Sequence, residues 1–152
     1  MSKNLNRAPY EVTHAGIIVK LDQKLFVVHA LSSDVSDIDG VQINTLEDFL
    51  KTSYPNKMIV ARVKNQTVEG RSQIAQKALH YLELKIPFDH FGDYEDGDAL
   101  YCTELIWRIL EKDLKMIQLP TVAKARKAHF YDMKAMYDTV YFDLIVNQYD
   151  CN

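Results

Sequence analysis

Two apolar, β-branched runs, residues 15–19 and 25–31, are separated by little more than the polar Lys20, Asp22, Gln23 and Lys24. Runs this short and this close predict neighbouring strands of a β-hairpin, because β-branched side chains fit a pleated surface and lose rotamer freedom in a helix. The hairpin also fixes where two histidines go. For a turn centred between Leu21 and Gln23, paired residue numbers total about 43 to 45, and His14 with His29 totals 43. The two imidazoles are therefore expected opposite or diagonal across the ladder, with His14 opening the first strand just before the small pair Ala15-Gly16.

Further along, residues 40–43 read as a short strand, and Thr45 with Asp48 three residues on reads as the start of a short helix ending by Pro55. Residues 58–63 are another strand. From Thr67 to Leu82 the apolar Ile74, Ala75, Ala78, Leu79 and Leu82 recur at three- and four-residue spacing, which predicts an amphipathic helix. Pro87 and the cluster Gly92, Asp93, Asp96, Gly97 and Asp98 make residues 86–98 a loop, and a second helix is expected to begin near Cys102. After it, residues 116–119 look extended, Lys124, Arg126 and Lys127 form a basic patch read as a solvated face, residues 132–137 a short helix and residues 139–146 a closing strand.

Composition narrows the functional classes. With 152 residues, 47% hydrophobic and 26% charged, the chain has enough apolar content for one core, and no linker or repeat divides it. A formal charge of −3 supplies no sequence-wide positive field, so nucleic acid is not an expected partner. No apolar run approaches the roughly 20 residues of a spanning helix, so no integral membrane segment is expected. The first fourteen residues hold no apolar stretch of signal-peptide length, which leaves the compartment open.

Only two cysteines occur, too few for a disulfide framework and not in a C-x-x-C pair. Cys151 reads as a bystander near the end of the chain. Cys102 sits where the loop becomes a helix, so unpaired N–H groups and the positive helix end are expected to stabilise a thiolate and lower its pKa. The alternative is a small buried hydrophobe beside Leu105 and Ile106. A histidine pair can serve such a thiol, one ring taking its proton while the second fixes the tautomer of the first. The same pair could be plain sheet residues. A zinc site is a third reading, but no ligand spacing supports it, and no metal or other cofactor is expected.

Taken together, T-H-A-G-I-I-V at residues 13–19, V-V-H-A at 27–30, G-V-x-x-x-x-L-x-x-F at 40–49, I-P-F-D at 86–89 and Y-C-T-E-L-I at 101–106 resemble the permuted papain-like amidases of the YiiX type. These form a circularly permuted branch of the NlpC superfamily, related to the lecithin:retinol acyltransferases. The resemblance spans roughly residues 12–112 and implies, for a single domain over residues 1–152, an α+β fold with an antiparallel sheet packed on helices and the cysteine at a helix N-terminus. It implies Cys102 as nucleophile, His14 as general base and His29 as the residue that orients His14. At the orienting position YiiX-type proteins commonly carry Glu, and His29 is closer to the Cys-His-His arrangement of unpermuted relatives. Family members also carry an apolar strand ahead of the histidine strand, which the thirteen residues before His14 do not show; a shortened chain or a pared-down member is expected.

The remaining polar residues are secondary. Tyr101 and Asp89 are candidates for the oxyanion or cleft wall, with the Cys102 backbone N–H as the natural oxyanion donor. Asp89 and His90 read more simply as loop hydrogen-bonders around Pro87, Glu104 as a charge at the positive end of its helix, His80 as solvated and His129 as packing. The expected activity is a cysteine hydrolase that cleaves an amide in a peptide, murein peptide or lipid-linked substrate through a thioester. Acyl transfer by the same chemistry, or a catalytically weak binding module keeping the cleft, are the alternatives. An envelope or secreted location would follow if a signal peptide had been removed, and the oligomeric state is not legible.

Overall fold

Asp22 and Gln23 both adopt positive φ, 49° and 68°. That is the two-residue turn whose twist matches paired strands, and around it β1 (Ile17–Leu21) and β2 (Lys24–Leu31) run antiparallel with Ile17 opposite Val28. The computed structural model describes residues 10–150. In it β3 (Gly40–Thr45) adds to the other side of β2, with His29 opposite Gln42, giving a sheet in the order β1-β2-β3. His14 lies just ahead of β1 rather than within it, because the ladder begins at Ile17.

Thr45 then caps α1 (Leu46–Lys51), its side chain accepting the Asp48 N–H at 3.1 Å. A second sheet pairs β4 (Ile59–Val63) antiparallel with β5 (Phe142–Asn147), across a register irregularity between Val60 and Ala61. Between them in sequence, α2 (Val68–Leu84) starts at Thr67, whose side chain accepts the Gly70 N–H at 3.0 Å, and buries Gly70, Ala78 and Tyr81.

All six residues of α3 (Cys102–Trp107) are buried, and the helix continues directly into a π-helical stretch, Arg108–Asp113. This central segment supplies Leu105, Trp107 and Ile109, each 0% exposed, to a core completed by Val28, Leu100, Leu119 and Phe130. Thr103 Oγ1 donates to the Phe130 carbonyl, tying α3 to α4 (Ala123–Tyr131).

Several sequence expectations change in this C-terminal third. Residues 123–131 form α4, although only Phe130 is buried on it. Arg126 is not part of a solvated face: its guanidinium donates to Glu95 Oε1 at 2.6 Å and to both oxygens of Glu111, while Lys124 and Lys127 are exposed. Residues 116–119 form no strand; the Leu119 N–H is taken by Glu111 Oε2 at 2.7 Å. The expected short helix is a 3-10 turn, Met133–Tyr137, capped by Asp132. No helix among the described residues is long and apolar enough to cross a membrane.

Candidate active site

Gly16 determines how closely the His14 segment approaches β2. A Cβ at that position would lie 2.4 Å from Val27 Cγ1 and 3.1 Å from His29 Cβ, so only glycine permits the contact. The approach brings the two predicted histidines together. His14 Nε2 and His29 Nδ1 are 2.9 Å apart, and His29 Nε2 lies 2.6 Å from Asn44 Oδ1. Phe49 packs against both rings, at 5.6 Å from His14 and 5.1 Å from His29 between centroids.

The order of protons in this chain follows from its last member. An amide oxygen can only accept, so His29 carries its proton on Nε2 and offers Nδ1 as an acceptor. His14 Nε2–H then donates to His29, and the lone pair of a neutral His14 is left on Nδ1. Both rings are held neutral. Burial, then the charge of His29, lowers His14 to about 4. Burial also lowers His29, although the Asn44 bond opposes it.

Cys102 is the first residue of α3, with Tyr101 as its N-cap, and is 3% exposed. It is a free thiol. The helix position was expected to favour the thiolate, and burial reverses that outcome: desolvation pushes the Cys102 thiol up to about 11. The N–H groups of Ala15, Thr103 and Cys102 itself and the Tyr101 side chain pull the other way without prevailing. At neutral pH the resting pair is thus thiol and neutral imidazole, rather than thiolate and imidazolium. Ala15, the residue after His14, touches the thiol through its backbone N–H, while the His14 ring itself bonds His29.

A cleft of about 540 Å³ opens beside His14. His14, Ala15, Gly16, Phe49, Ile74 and Ile106 are among its walls, so the Ala15 backbone is common to the cleft and the thiol. Its lining is chiefly apolar, with Lys57, Arg62 and Arg71 also on the wall. Such a volume is in the range of about 300–1,000 Å³ usual for small-molecule sites.

The other candidates are dispersed. Tyr101 stays at the site, its side chain bonded to Cys102 and its own pKa raised by burial and by that thiol. Asp89 is not among the walls of this cleft: it is buried, and Oδ1 accepts the N–H groups of Phe91 at 2.9 Å and Gly92 at 2.8 Å. His90 bonds Asp39 at 2.9 Å, and His129 packs between Trp107 and Tyr141. Glu104 stands in the first turn of α3, as expected, and is 1% exposed. Cys151 lies outside the described residues. No cluster of three or more His, Cys, Asp or Glu suited to a metal occurs among the described residues.

Asn44 was not singled out from sequence. The signal was available in the β2–β3 register, which puts Val27 opposite Asn44 and His29 opposite Gln42, so that Asn44 is the diagonal neighbour of His29.

A family model described as "Permuted papain-like amidase enzyme, YaeF/YiiX, C92 family" matches residues 1–148. No curated protein and no solved structure matches the chain.

Proposed function

The chain belongs to the permuted papain-like amidases of the YaeF/YiiX, C92 family, and from that premise we propose that it is a cysteine hydrolase with Cys102 as nucleophile, His14 as general base and His29 as the orienting residue. The observation that carries this reading is the ordered chain Asn44–His29–His14, which leaves one lone pair, on His14 Nδ1, at the residue adjoining the Cys102 contact.

The reaction runs from the neutral pair. Cys102 Sγ forms a bond to the amide carbonyl carbon as its proton passes to His14 Nδ1, and the carbonyl electron pair moves onto oxygen. Backbone N–H groups at the start of α3 and the Tyr101 hydroxyl are the donors available to that oxyanion. Collapse breaks the C–N bond, and the amine leaves with the proton from His14. Water then attacks the thioester, His14 takes its proton, and the acid departs as Cys102 recovers its thiol. His29 holds the His14 ring and, through its own bond to Asn44, shares the imidazolium charge less effectively than a carboxylate would.

The substrate is an amide of the peptide, murein-peptide or lipid-linked kind, and the apolar cleft supports one with an apolar segment beside the scissile bond. The same cleft favours acyl transfer as a second reading, in which an amine or alcohol replaces water at the thioester.

The test uses the full chain in a Cys151→Ser background, incubated with a panel of p-nitrophenyl acyl esters and read by intact mass. An acyl adduct on Cys102 is expected, absent from Cys102→Ser and formed at least ~100-fold more slowly by His14→Ala. If no adduct forms and Cys102 alkylation is indifferent to His14, the protein is a binding module that has kept the cleft.

A further inference from the structure

On the face of α3 turned away from Cys102 lies a group that the reaction above does not use. Residues two apart on a helix are separated by about 200° of rotation, so Glu104 points away from the thiol. It points into protein, not water. Glu104 is 1% exposed and neither carboxyl oxygen has a partner in good hydrogen-bond geometry; the Tyr101 N–H is near enough to oppose its rise but ranks below burial and Asp89. Its partner is the carboxyl of Asp89, 7% exposed, whose Oδ1 is filled by backbone N–H groups while Oδ2 has no donor. The Tyr131 hydroxyl, close enough to feel both charges, is also buried without a partner.

The other charged and titratable groups around the pair do not relieve it. Asp93, Asp96 and Tyr94 belong to the same loop and add negative charge or none. The nearest cation on the helix, Arg108, packs its guanidinium against Gly97 and bonds Tyr81. Lys112 and Arg126 are bound to Glu95 and Glu111. Two ionised carboxylates side by side with no cation would be severely penalised in such a place, whereas one proton between them removes a charge and supplies the missing donor.

We propose that Glu104 is a positioning residue: it holds a proton shared with Asp89, and this carboxyl–carboxylate bond fastens the Cys102 helix to the 87–100 loop that leads into it. Asp89 is the ionised member, because burial, which would raise it, is outweighed by the N–H groups of Phe91, Gly92 and Asp93 and the Glu104 bond. Glu104 is the protonated member, raised to about 8 by burial and then by Asp89. The bond has leverage on both ends of the loop. Asp89 N–H donates to the Leu100 carbonyl and Leu100 N–H to the Pro87 carbonyl, directly before Tyr101 and Cys102.

The sign of the pH effect follows. Opening the contact lets Glu104 ionise at its ordinary value near 4.5, so local opening gains up to about tenfold per pH unit as pH rises from there toward 8, then levels off. Glu104→Gln keeps the size and a donor to Asp89 but cannot titrate.

The first measurement is infrared spectroscopy of the full chain across pH 6–9.5. We expect a protonated-carboxyl carbonyl band that persists at pH 7, disappears around 8 and is missing from Glu104→Gln. Absence of the band at pH 7, or its survival in Glu104→Gln, overturns the proposal. The second compares Cys102 alkylation in Cys151→Ser backgrounds with and without Glu104→Gln. The ratio of original to variant rate should climb between pH 5.5 and 8, by up to about tenfold per unit, and then flatten; a ratio independent of pH, as a purely structural side chain would give, overturns the positioning role. The importance of that positioning for catalysis rests on Cys102 being the nucleophile. The infrared band does not, so failure of the hydrolase reading and failure of the shared proton are read separately.

Discussion

Two sets of buried and half-buried polar side chains flank α3, and they solve the same problem in different ways. On the sheet side, His29 and Asn44 give every facing donor an acceptor, and the line of hydrogen bonds ends in a lone pair on His14. On the loop side, Asp89, Glu104 and Tyr131 bring acceptors together without enough donors. The first set is neutral when complete, so it can accept a proton during a reaction without rearranging. The second is satisfied only while it retains a proton. A buried polar network is therefore poised for chemistry when its donors and acceptors balance, and for pH sensitivity when they do not.

The largest expected effect that would break this contrast is on the sheet side. His14→Ala should reduce acylation of Cys102 by about 10² to 10⁴, the usual worth of a positioned general base, measured as the single-turnover rate with an activated ester. A loss under tenfold would mean the lone pair on His14 does no proton transfer. Asn44→Ala comes next, because it leaves the buried His29 Nε2–H without an acceptor and costs about 1–3 kcal/mol of stability. It also frees the His29 tautomer, so acylation should fall along with the denaturation midpoint; a stability loss alone would reduce Asn44 to a structural residue. Gly16→Ala should cost about 1–3 kcal/mol through overpacking against Val27 and His29, checked by chemical denaturation and by separation of the two imidazole NMR signals.

Acid should act on the sheet side and alkali on the loop side. His14 is depressed to about 4 from 6.5, so its contribution is complete above 6.5 and is lost as pH falls through 4. Glu104 is raised to about 8, so its contribution is complete below 4.5 and is lost as pH rises toward 8. Thermal melts of His14→Ala and Glu104→Gln against the unaltered chain should accordingly diverge in opposite pH directions; parallel curves would erase the distinction. The smallest effect belongs to exposed Lys124, whose change to Ala should stay within about 0.5 kcal/mol.

The sheet side was the more legible of the two. Short β-branched runs about a polar turn mark both strands, and strand pairing alone puts His14 near His29. The apolar periodicity from Thr67 to Leu82 likewise marks α2. Asn44 required the β2–β3 register as well, a contact the local pattern does not carry. The pairing of β4 with β5 joins residues some eighty positions apart and leaves no local trace. Nor does α4, where only Phe130 is buried and the helix is held by Arg126 between Glu95 and Glu111. The ionisation of Glu104 and of the Cys102 thiol is not legible for one reason: position in a helix is visible in a sequence, while depth of burial is not. Desolvation then outweighs the helix end for both groups.

That same depth affects how the chain ages. Oxidants and electrophilic drugs select cysteines that stand ionised and open to solvent. A sulfur stored as a neutral thiol, 3% exposed, offers them little, so peroxide at neutral pH should spare Cys102. Broad electrophile libraries would then under-report it, and compounds shaped to the adjoining cleft, delivering a weak warhead beside His14, are the better route to covalent inhibitors.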